Sequence, residues 1–188
     1  MRPTSPGVKL TYDDFLLFPD DGMRHELIDG EHYVTASPNL KHQKVSGNLH
    51  LLIGVWLERH PLGQLFYAPF DVVFSRFDVV EPDLLYMSND RATTVLTPAN
   101  VQGAPELVIE IGSPSTRKRD ETIKRRLYEQ SGVDEYWVVD PELDVIRISR
   151  RAGEIFTRPT ELSAEAGDVL TTPLWPGLDI PLARVFKL

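Results

Sequence analysis

The chain contains 188 residues, of which 41% are hydrophobic and 26% are charged, and its formal net charge is −8. This length and apolar content predict one domain, spanning residues 1–188, with its own core. The acidic balance argues against a protein that coats nucleic acid non-specifically, because such a protein needs a basic surface. The absence of cysteine excludes disulfides and thiolate zinc sites.

The sequence also predicts where the protein works. No run approaches the roughly 18 apolar residues of a membrane-spanning helix. The first residues, Met1–Pro6, lack the apolar stretch of a secretory signal. We therefore expect a cytoplasmic protein that does not associate with membranes.

The N-terminal half begins with local signals that are easy to interpret. Thr11 and Asp14 form a capping box, which predicts a short helix over residues 11–18. The Asp29-Gly30 pair is a strong hairpin signal and predicts paired strands over 24–29 and 31–36. A long helix is expected over 40–60, where apolar residues recur at helical spacing. Its buried stripe would contain Val45, Leu49, Leu52, Ile53 and Trp56.

The rest of the chain alternates between strand and helix patterns. The predicted strands cover 65–68, 71–75, 81–87, 105–111 and 135–140, and a peripheral hairpin covers 145–150 and 154–158. Helices are predicted over 117–130 and 182–186, and residues 88–104 are expected to be irregular. The elements predict a mixed α/β domain: a central sheet flanked by helices, with a hairpin added near each end.

The most informative pattern is Pro82-Asp83 at the start of one predicted strand and Glu110 inside the next. Glu110 has valine and isoleucine neighbours, and a carboxylate there is costly to bury unless it is paired or bound to a metal. If the two strands are adjacent, Asp83 and Glu110 can approach one cation, and Mg²⁺ prefers such oxygen ligands. A buried ion pair is the alternative interpretation of Glu110.

Lys124 lies on the helix that follows. Asp120, Lys124 and Tyr128 are spaced four residues apart and form one stripe beside apolar residues. We expect Lys124 at the edge of the core, within reach of the end of the Glu110 strand. A lysine there can orient a water molecule or stabilise charge on phosphorus. A surface pair between Asp120 and Lys124 is the alternative.

Glu26 and His42 are further candidates. Alternation places Glu26 opposite Leu27 on the first predicted strand, where it is either a solvent-facing residue or a third carboxylate for a metal. His42 lies in the first turn of the long helix and can hydrogen-bond a carboxylate or a phosphate, although a single histidine is more often structural.

A basic run follows the Glu110 strand, within the predicted helix. It predicts either a solvated helix face or local positive charge for phosphates. In the second case Arg117, Lys118 and Arg119 would contact neighbouring phosphates without recognising sequence. The run consists of Arg117, Lys118, Arg119, Lys124, Arg125 and Arg126.

These motifs, in this order, resemble the Uma-two family of restriction-endonuclease-like proteins within the PD-(D/E)xK nuclease superfamily. The resemblance covers most of the chain, from about Thr11 to Asp140. The segments that carry it are 25–31, Pro38 with His42, 81–84, 105–116 with Asp120 and Lys124, and 132–141.

The resemblance implies a restriction-endonuclease-like fold and a set of site residues. It implies Asp83 and Glu110 as metal ligands, Glu26 as an accessory carboxylate and Lys124 as the displaced superfamily lysine. Two departures concern Gly112. Many family members have serine there, and the usual superfamily lysine, two residues after the glutamate, is absent.

The resulting hypothesis is a Mg²⁺-dependent endonuclease that hydrolyses DNA, with Mn²⁺ as a second usable cation and Asp83, Glu110, Lys124, Glu26 and His42 at its site. Two alternatives stay open: a non-catalytic nucleic-acid-binding or assembly module with the same fold, and a phosphohydrolase acting on small nucleotides. A homodimer is a further expectation, because Tyr136 and Trp137 would lie in a sheet that needs cover and many duplex-cutting enzymes pair two sites.

Overall fold

The structure is a computed structural model that describes residues 8–35, 37–113 and 116–188. The last residue of the second predicted strand, Ala36, and the turn residues Pro114 and Ser115 lie outside the described residues, as does the segment 1–7. The helices are α1 (Tyr12–Phe15), α2 (Leu40–Arg59), α3 (Asn89–Val95), α4 and α5 (Leu182–Val185); α4 is continuous through Arg117–Arg119, Asp120–Lys124 and Arg125–Ser131.

The strands include short ones that the sequence pattern does not predict. They are β1 (Arg24–Ile28), β2 (Glu31–Thr35), β3 (Gly63–Tyr67), β4 (Val72–Ser75), β5 (Asp78–Val80), β6 (Leu84–Ser88), β7 (Val101–Gln102), β8 (Leu107–Ile111), β9 (Glu135–Asp140), β10 (Val145–Ala152), β11 (Ile155–Phe156), β12 (Thr160–Ser163), β13 (Val169–Leu170) and β14 (Ile180–Pro181). Residues 88–104, expected to be irregular, contain α3 and β7.

The larger sheet has the order β11-β10-β9-β8-β6-β3, with β12 paired to β10. Strands β8 and β9 are parallel, whereas β6 and β8 are antiparallel, so the sheet is mixed as predicted. The predicted C-terminal hairpin is not peripheral. Strand β10 pairs with β9 from Val145 to Arg150 and is an integral part of this sheet.

A smaller sheet has the order β2-β1-β5-β4-β7. The predicted N-terminal hairpin forms its first two strands, and Asp29 and Gly30 have the positive φ values, 52° and 73°, of the expected tight turn. Leu27 pairs with Val79, which joins the hairpin to β5. The hairpin is therefore built into a sheet rather than appended to the domain.

Helices cover both faces of the larger sheet. On one face, Val45, Leu49 and Ile53 of α2 pack against the sheet and the C-terminal segment. On the other, Leu127 and Tyr128 of α4 pack together with apolar residues of the smaller sheet. Strand β8 lies between these layers: alternate residues face α2, and Glu110 faces α4. This layering positions the end of β8 beside α4.

Within the described residues, no helix is both long enough and apolar enough to cross a membrane.

Candidate active site at the end of strand β8

Asp83 lies just before β6 and is held against β8. Its Oδ2 accepts a hydrogen bond from the backbone N–H of Ile111 at 2.7 Å, and its Oδ1 accepts one from Arg24 Nη1 at 2.9 Å. The Nε2 atom of His42 is 3.3 Å from Oδ2. Burial alone would raise the pKa of Asp83, but the bond from His42 and the charge on Arg24 outweigh it and lower the pKa to about 2. Asp83 is therefore an ionised carboxylate, and it is bonded to Ile111, the residue that follows Glu110 on β8.

Glu110 is buried on the α4 face of β8, with 2% of its surface exposed. Its Oε1 accepts hydrogen bonds from Lys124 Nζ at 2.8 Å and from the hydroxyl of Tyr128 at 2.5 Å. Burial raises the pKa of Glu110 to about 8; Lys124 opposes this rise, whereas nearby carboxylates, Asp120 foremost, add to it. The raised pKa means that burial and the neighbouring carboxylates disfavour the charged form of Glu110 despite the contact with Lys124.

Lys124 reaches this carboxylate from the helix, as the sequence spacing predicts, but it is buried rather than at the edge of the core. Its Nζ donates to Glu110 and, at 2.7 Å, to Oε1 of Glu26. Desolvation lowers the pKa of Lys124, but the charges of Glu110 and Glu26 outweigh that effect and raise it. The ammonium group therefore stays charged between two carboxylates.

Glu26 is completely buried, which excludes the solvent-facing interpretation. Its Oε1 also accepts a hydrogen bond from the backbone N–H of Glu81 at 3.1 Å. Arg119 Nη2 is 3.6 Å from Oε2, which is buried and accepts no hydrogen bond among the described residues. The carboxylate thus lies behind Lys124, and it is not part of the cavity wall described next.

These groups border a cavity of about 640 Å³. Asp83, Glu110 and Lys124 line it, so the structure brings together the three residues that the sequence singled out. His42 also lines the cavity and orients Asp83. The remaining wall is mixed, and its charged or polar residues include Asp20, Arg24, Glu81, Thr116, Arg119 and Asp120.

Sequence reasoning missed Arg24, Glu81 and the hydroxyl of Tyr128. Arg24 precedes Glu26 by two residues on β1, so strand alternation places both on one face, and this was the available signal. Glu81 borders the cavity directly before Pro82-Asp83; burial and the nearby Asp71 raise its pKa to about 7, and Arg24 lowers it in part. Its nearest cation is Arg24, with Nε 3.9 Å from Oε2.

The basic run does not form one phosphate-binding surface. Arg119 lines the cavity and donates to Thr35 Oγ1 at 2.6 Å. Arg117 pairs with Asp140 at 2.8 Å and borders a different depression, and Lys118 is exposed to solvent. The expectation that Arg117, Lys118 and Arg119 contact neighbouring phosphates together is therefore not met, because successive residues of a helix point in different directions.

The carboxylates suit a hard divalent cation, although the described residues contain no ready-made group of three metal-ligating side chains. Asp83 Oδ1 accepts a hydrogen bond only from Arg24, and Glu110 Oε2 accepts none within the described part of the chain. Each carboxylate oxygen has two lone pairs, so both residues keep lone pairs that can bind a metal ion. Mg²⁺ is commonly held by one or two carboxylates together with water and substrate phosphate, which is the set available here.

A mixed sheet with two buried carboxylates and a lysine at one end defines a restriction-endonuclease-like class of protein. The chain belongs to the Uma2 family, described as "Putative restriction endonuclease", whose model matches residues 12–183. This confirms the family resemblance found in the sequence and places the chain in a nuclease family.

A solved structure shows the same fold. It is described as a putative nuclease belonging to DUF820 from Anabaena variabilis ATCC 29413. The two chains superpose with a TM-score of 0.80 at 18% identity, over 95% of this chain and 98% of the other. The predicted fold class is thereby confirmed. No curated protein matches the chain.

Proposed function

We propose that the protein is a Mg²⁺-dependent endonuclease that hydrolyses phosphodiester bonds of DNA, with Mn²⁺ as a second usable cation. The observation that carries the proposal is the convergence of Asp83 and Glu110, buried and from neighbouring segments of the sheet, on one cavity that Lys124 also lines. Family membership supports the class of activity. The metal and the DNA substrate are parts of the proposal.

Asp83 and Glu110 would hold the cation. When bound, Mg²⁺ supplies an activated water molecule and offsets the charge that develops on phosphorus. Asp83 is prepared for this role because His42 and the Ile111 amide fix its carboxylate and keep it ionised. Glu110 is prepared in a different way: its raised pKa means that a cation would stabilise its charged form.

Lys124 would stabilise negative charge at the reacting phosphate, and its position depends on two anions. Glu26 holds the ammonium group from behind, at 2.7 Å, while Glu110 holds it from the cavity side. We therefore assign Glu26 the role of positioning Lys124, in place of the metal ligation expected from the family resemblance. Arg24 and Arg119 also line the wall, each beside a carboxylate, Asp83 and Glu26 respectively.

Cleavage assays test the assignment of Asp83. Supercoiled plasmid and a single-stranded oligonucleotide are incubated with Mg²⁺, Mn²⁺ or EDTA. We expect cutting that requires metal and falls by about 100-fold or more in Asp83→Asn and Glu110→Gln, because each variant removes a charged ligand worth several kcal/mol. Asp90→Asn on α3 is the matched control, since it removes a carboxylate that the cavity wall does not contain.

Circular dichroism and thermal unfolding establish that each variant is folded, and having two ligand variants keeps the test valid if one of them is not. A folded Asp83→Asn or Glu110→Gln protein that cuts at the wild-type rate would overturn the assignment. Metal-independent cutting by the wild type would overturn the cation's role.

One observation favours the non-catalytic alternative. Arg24 pairs with Asp83 and Lys124 pairs with Glu110, so each of the two carboxylates has a cationic partner without any metal. A module that only binds nucleic acid would keep such ion pairs for its fold. Calorimetric titration with Mg²⁺ and Mn²⁺ distinguishes the two: binding that disappears in Asp83→Asn supports the endonuclease, and absence of binding supports the module.

A further inference from the structure

A groove of about 300 Å³ continues from the active-site cavity around the end of the sheet. The two share Arg24, His42 and Asp83 in their walls, so the groove offers a path for a strand whose phosphate reaches Asp83. The outer part of the groove is formed by α2, through Ser46, Gly47 and His50, and by Tyr67 of β3. This part has no place in the proposed chemistry.

Tyr67 is the notable side chain of the groove. It is 62% exposed, and it is the only Phe, Tyr or Trp among the described residues that is exposed to solvent. Its ring stands edge-on to the ring of His50, with centroids 4.9 Å apart and an interplanar angle of 76°. The contact supports the ring from the side of α2 and leaves most of its surface open.

Backbone pairing fixes the distance between Tyr67 and the carboxylates. Tyr67 pairs with Leu84 in the β3–β6 ladder, and the N–H of Ala68 donates to the carbonyl of Asp83 at 3.1 Å. Asp83 is in turn bonded to β8 through Ile111. The exposed ring is thus attached to the same rigid framework as the proposed metal ligands, one residue pair away.

The charge around the cavity favours stacking over purely ionic binding. Arg24 is paired with Asp83, Arg119 lies beside Glu26, and Asp20 and Glu81 add negative charge to the wall. The chain as a whole carries a net charge of −8. A duplex offers two charged backbones and no accessible base faces, so it depends on cations, whereas an unpaired base gains from an aromatic ring whatever the charge.

We propose that Tyr67, supported by His50, is a stacking platform for an unpaired nucleobase of the strand whose phosphate enters the cavity. The substrate is then single-stranded or locally unpaired next to the scissile bond. This inference rests on the proposed function, because it takes the cavity at Asp83 and Glu110 as the place of cleavage. It adds the substrate class and a residue that selects it.

Binding measurements with the full chain test the platform. The probes are a single-stranded DNA, the same sequence as RNA, its DNA duplex, and that duplex with one unpaired base; Ca²⁺ or EDTA replaces Mg²⁺. We expect Tyr67→Ala to weaken binding of the single strands and the bulged duplex by about 5- to 150-fold, as for other base–aromatic stacks, and to leave the perfect duplex unchanged. Comparison of the three probes with unpaired bases shows whether the stacked base comes from single-stranded DNA, from RNA or from an unpaired position in a DNA duplex.

Two control variants make the comparison specific. Tyr67→Phe keeps the ring and is expected to bind like the wild type. Ile155→Ala removes a side chain that is 64% exposed on β11, at the opposite edge of the larger sheet, and is expected to change nothing. A 2-aminopurine placed along the single strand reports stacking directly: its fluorescence should be quenched at one position by the wild type and not by Tyr67→Ala.

The outcomes separate this inference from the proposed function. Metal-dependent cleavage that is insensitive to Asp83 would overturn the site, whereas cleavage as proposed with Tyr67→Ala binding every probe like the wild type would overturn only the platform. An equal loss on single-stranded and duplex probes would also overturn it, since the effect would then not be stacking on an unpaired base. Tyr67-dependent quenching without any cleavage would support the platform and overturn the nuclease. A protein that neither binds nor cuts would overturn both.

Discussion

At the residue scale, the central positive charge of the site is a side chain, the ammonium group of Lys124. The ammonium group of Lys124 is buried between Glu26 and Glu110 and donates to both. Burying an ammonium group and two carboxyl groups away from water is costly, and the attraction between them offsets that cost only while the ammonium group is present. Lys124 therefore stabilises the protein in the absence of a metal, and its position at the cavity wall allows it to contact a phosphate.

Replacing Lys124 tests this balance. We expect Lys124→Met to lower the free energy of unfolding by about 3–5 kcal/mol, because it leaves buried Glu110 without its cation and Glu26 with Arg119 alone, 3.6 Å away. Urea denaturation followed by circular dichroism measures the change. Lys118→Met, on the exposed side of the same helix, is the control and should be nearly neutral.

A second substitution separates charge from packing. In Lys124→Met combined with Glu26→Gln, one of the two carboxyl groups that lost the lysine can no longer be charged, so stability should recover in part. If the double variant is no more stable than Lys124→Met alone, the charge argument is wrong.

At the element scale, the geometry of α4 determines which of its residues reach the cavity. The N–H of Arg125 bonds to the carbonyl of Asp120, five residues earlier, so Asp120–Lys124 is a π-helical turn. The Asp120 carbonyl also accepts a hydrogen bond from the Tyr136 hydroxyl at 3.0 Å. Because residues five apart align in such a turn, Arg119 and Lys124 come onto one side of the helix, and both line the cavity together with Asp120.

Helix α2 positions His42 through its N-cap. The side chain of Asn39 accepts a hydrogen bond from the N–H of His42 at 2.9 Å, and His42 in turn contacts Asp83. We expect Asn39→Ala to cost about 1 kcal/mol of unfolding free energy because a first-turn donor loses its acceptor. Asn39→Ser keeps an oxygen there and should retain most of the stability. Chemical denaturation compares the two; equal losses would show that the cap is not the cause.

At the scale of the whole molecule, the buried carboxyl groups make stability depend on pH. Burial raises the pKa of Glu110 to about 8, of Glu81 to about 7 and of Asp120 to about 6. The folded protein therefore holds protons that the unfolded chain has released above about pH 4. The stabilisation from these groups is complete below that pH and is lost as pH rises through 6 to 8.

Thermal unfolding in EDTA between pH 5 and pH 8 measures this dependence. We expect the midpoint to fall as pH rises, because the free energy of unfolding falls by about 1.4 kcal/mol per pH unit for each proton that only the folded protein holds. His32 acts in the opposite sense, because burial lowers its pKa below the ordinary value of a histidine. Glu110→Gln should flatten the slope, and saturating Mg²⁺ should do so too because the cation competes with protons. A midpoint that rises with pH would contradict the assignment.

The homodimer stays a prediction, but the two aromatic residues that suggested it do not need a partner to cover them. Tyr136 and Trp137 were expected to need a covering partner, but both are fully buried within a single chain. Trp137 packs edge-on against Trp175 from the C-terminal segment, which the sequence pattern did not connect with the sheet.

The sequence by itself determined the features that depend on near neighbours. The capping box at Thr11, the Asp29-Gly30 turn and the buried stripe of α2 follow from a few consecutive residues, and the structure contains each of them. Glu110 was recognisable because a carboxylate inside an apolar strand implies burial with a partner. The order of such motifs along the chain was enough to predict the fold and the family.

Only the tertiary structure decided which groups surround the carboxylates. Arg24 and Asp83 are separated by 59 positions, and Glu26 and Lys124 by 98, so no local pattern connects them. The two-residue strand β7 is too short for a periodicity to show, and the wide turn of α4 depends on contacts beyond the helix itself. The physical reason is the same in each case: these features are stabilised by burial and charge between segments that meet only after the sheet has formed.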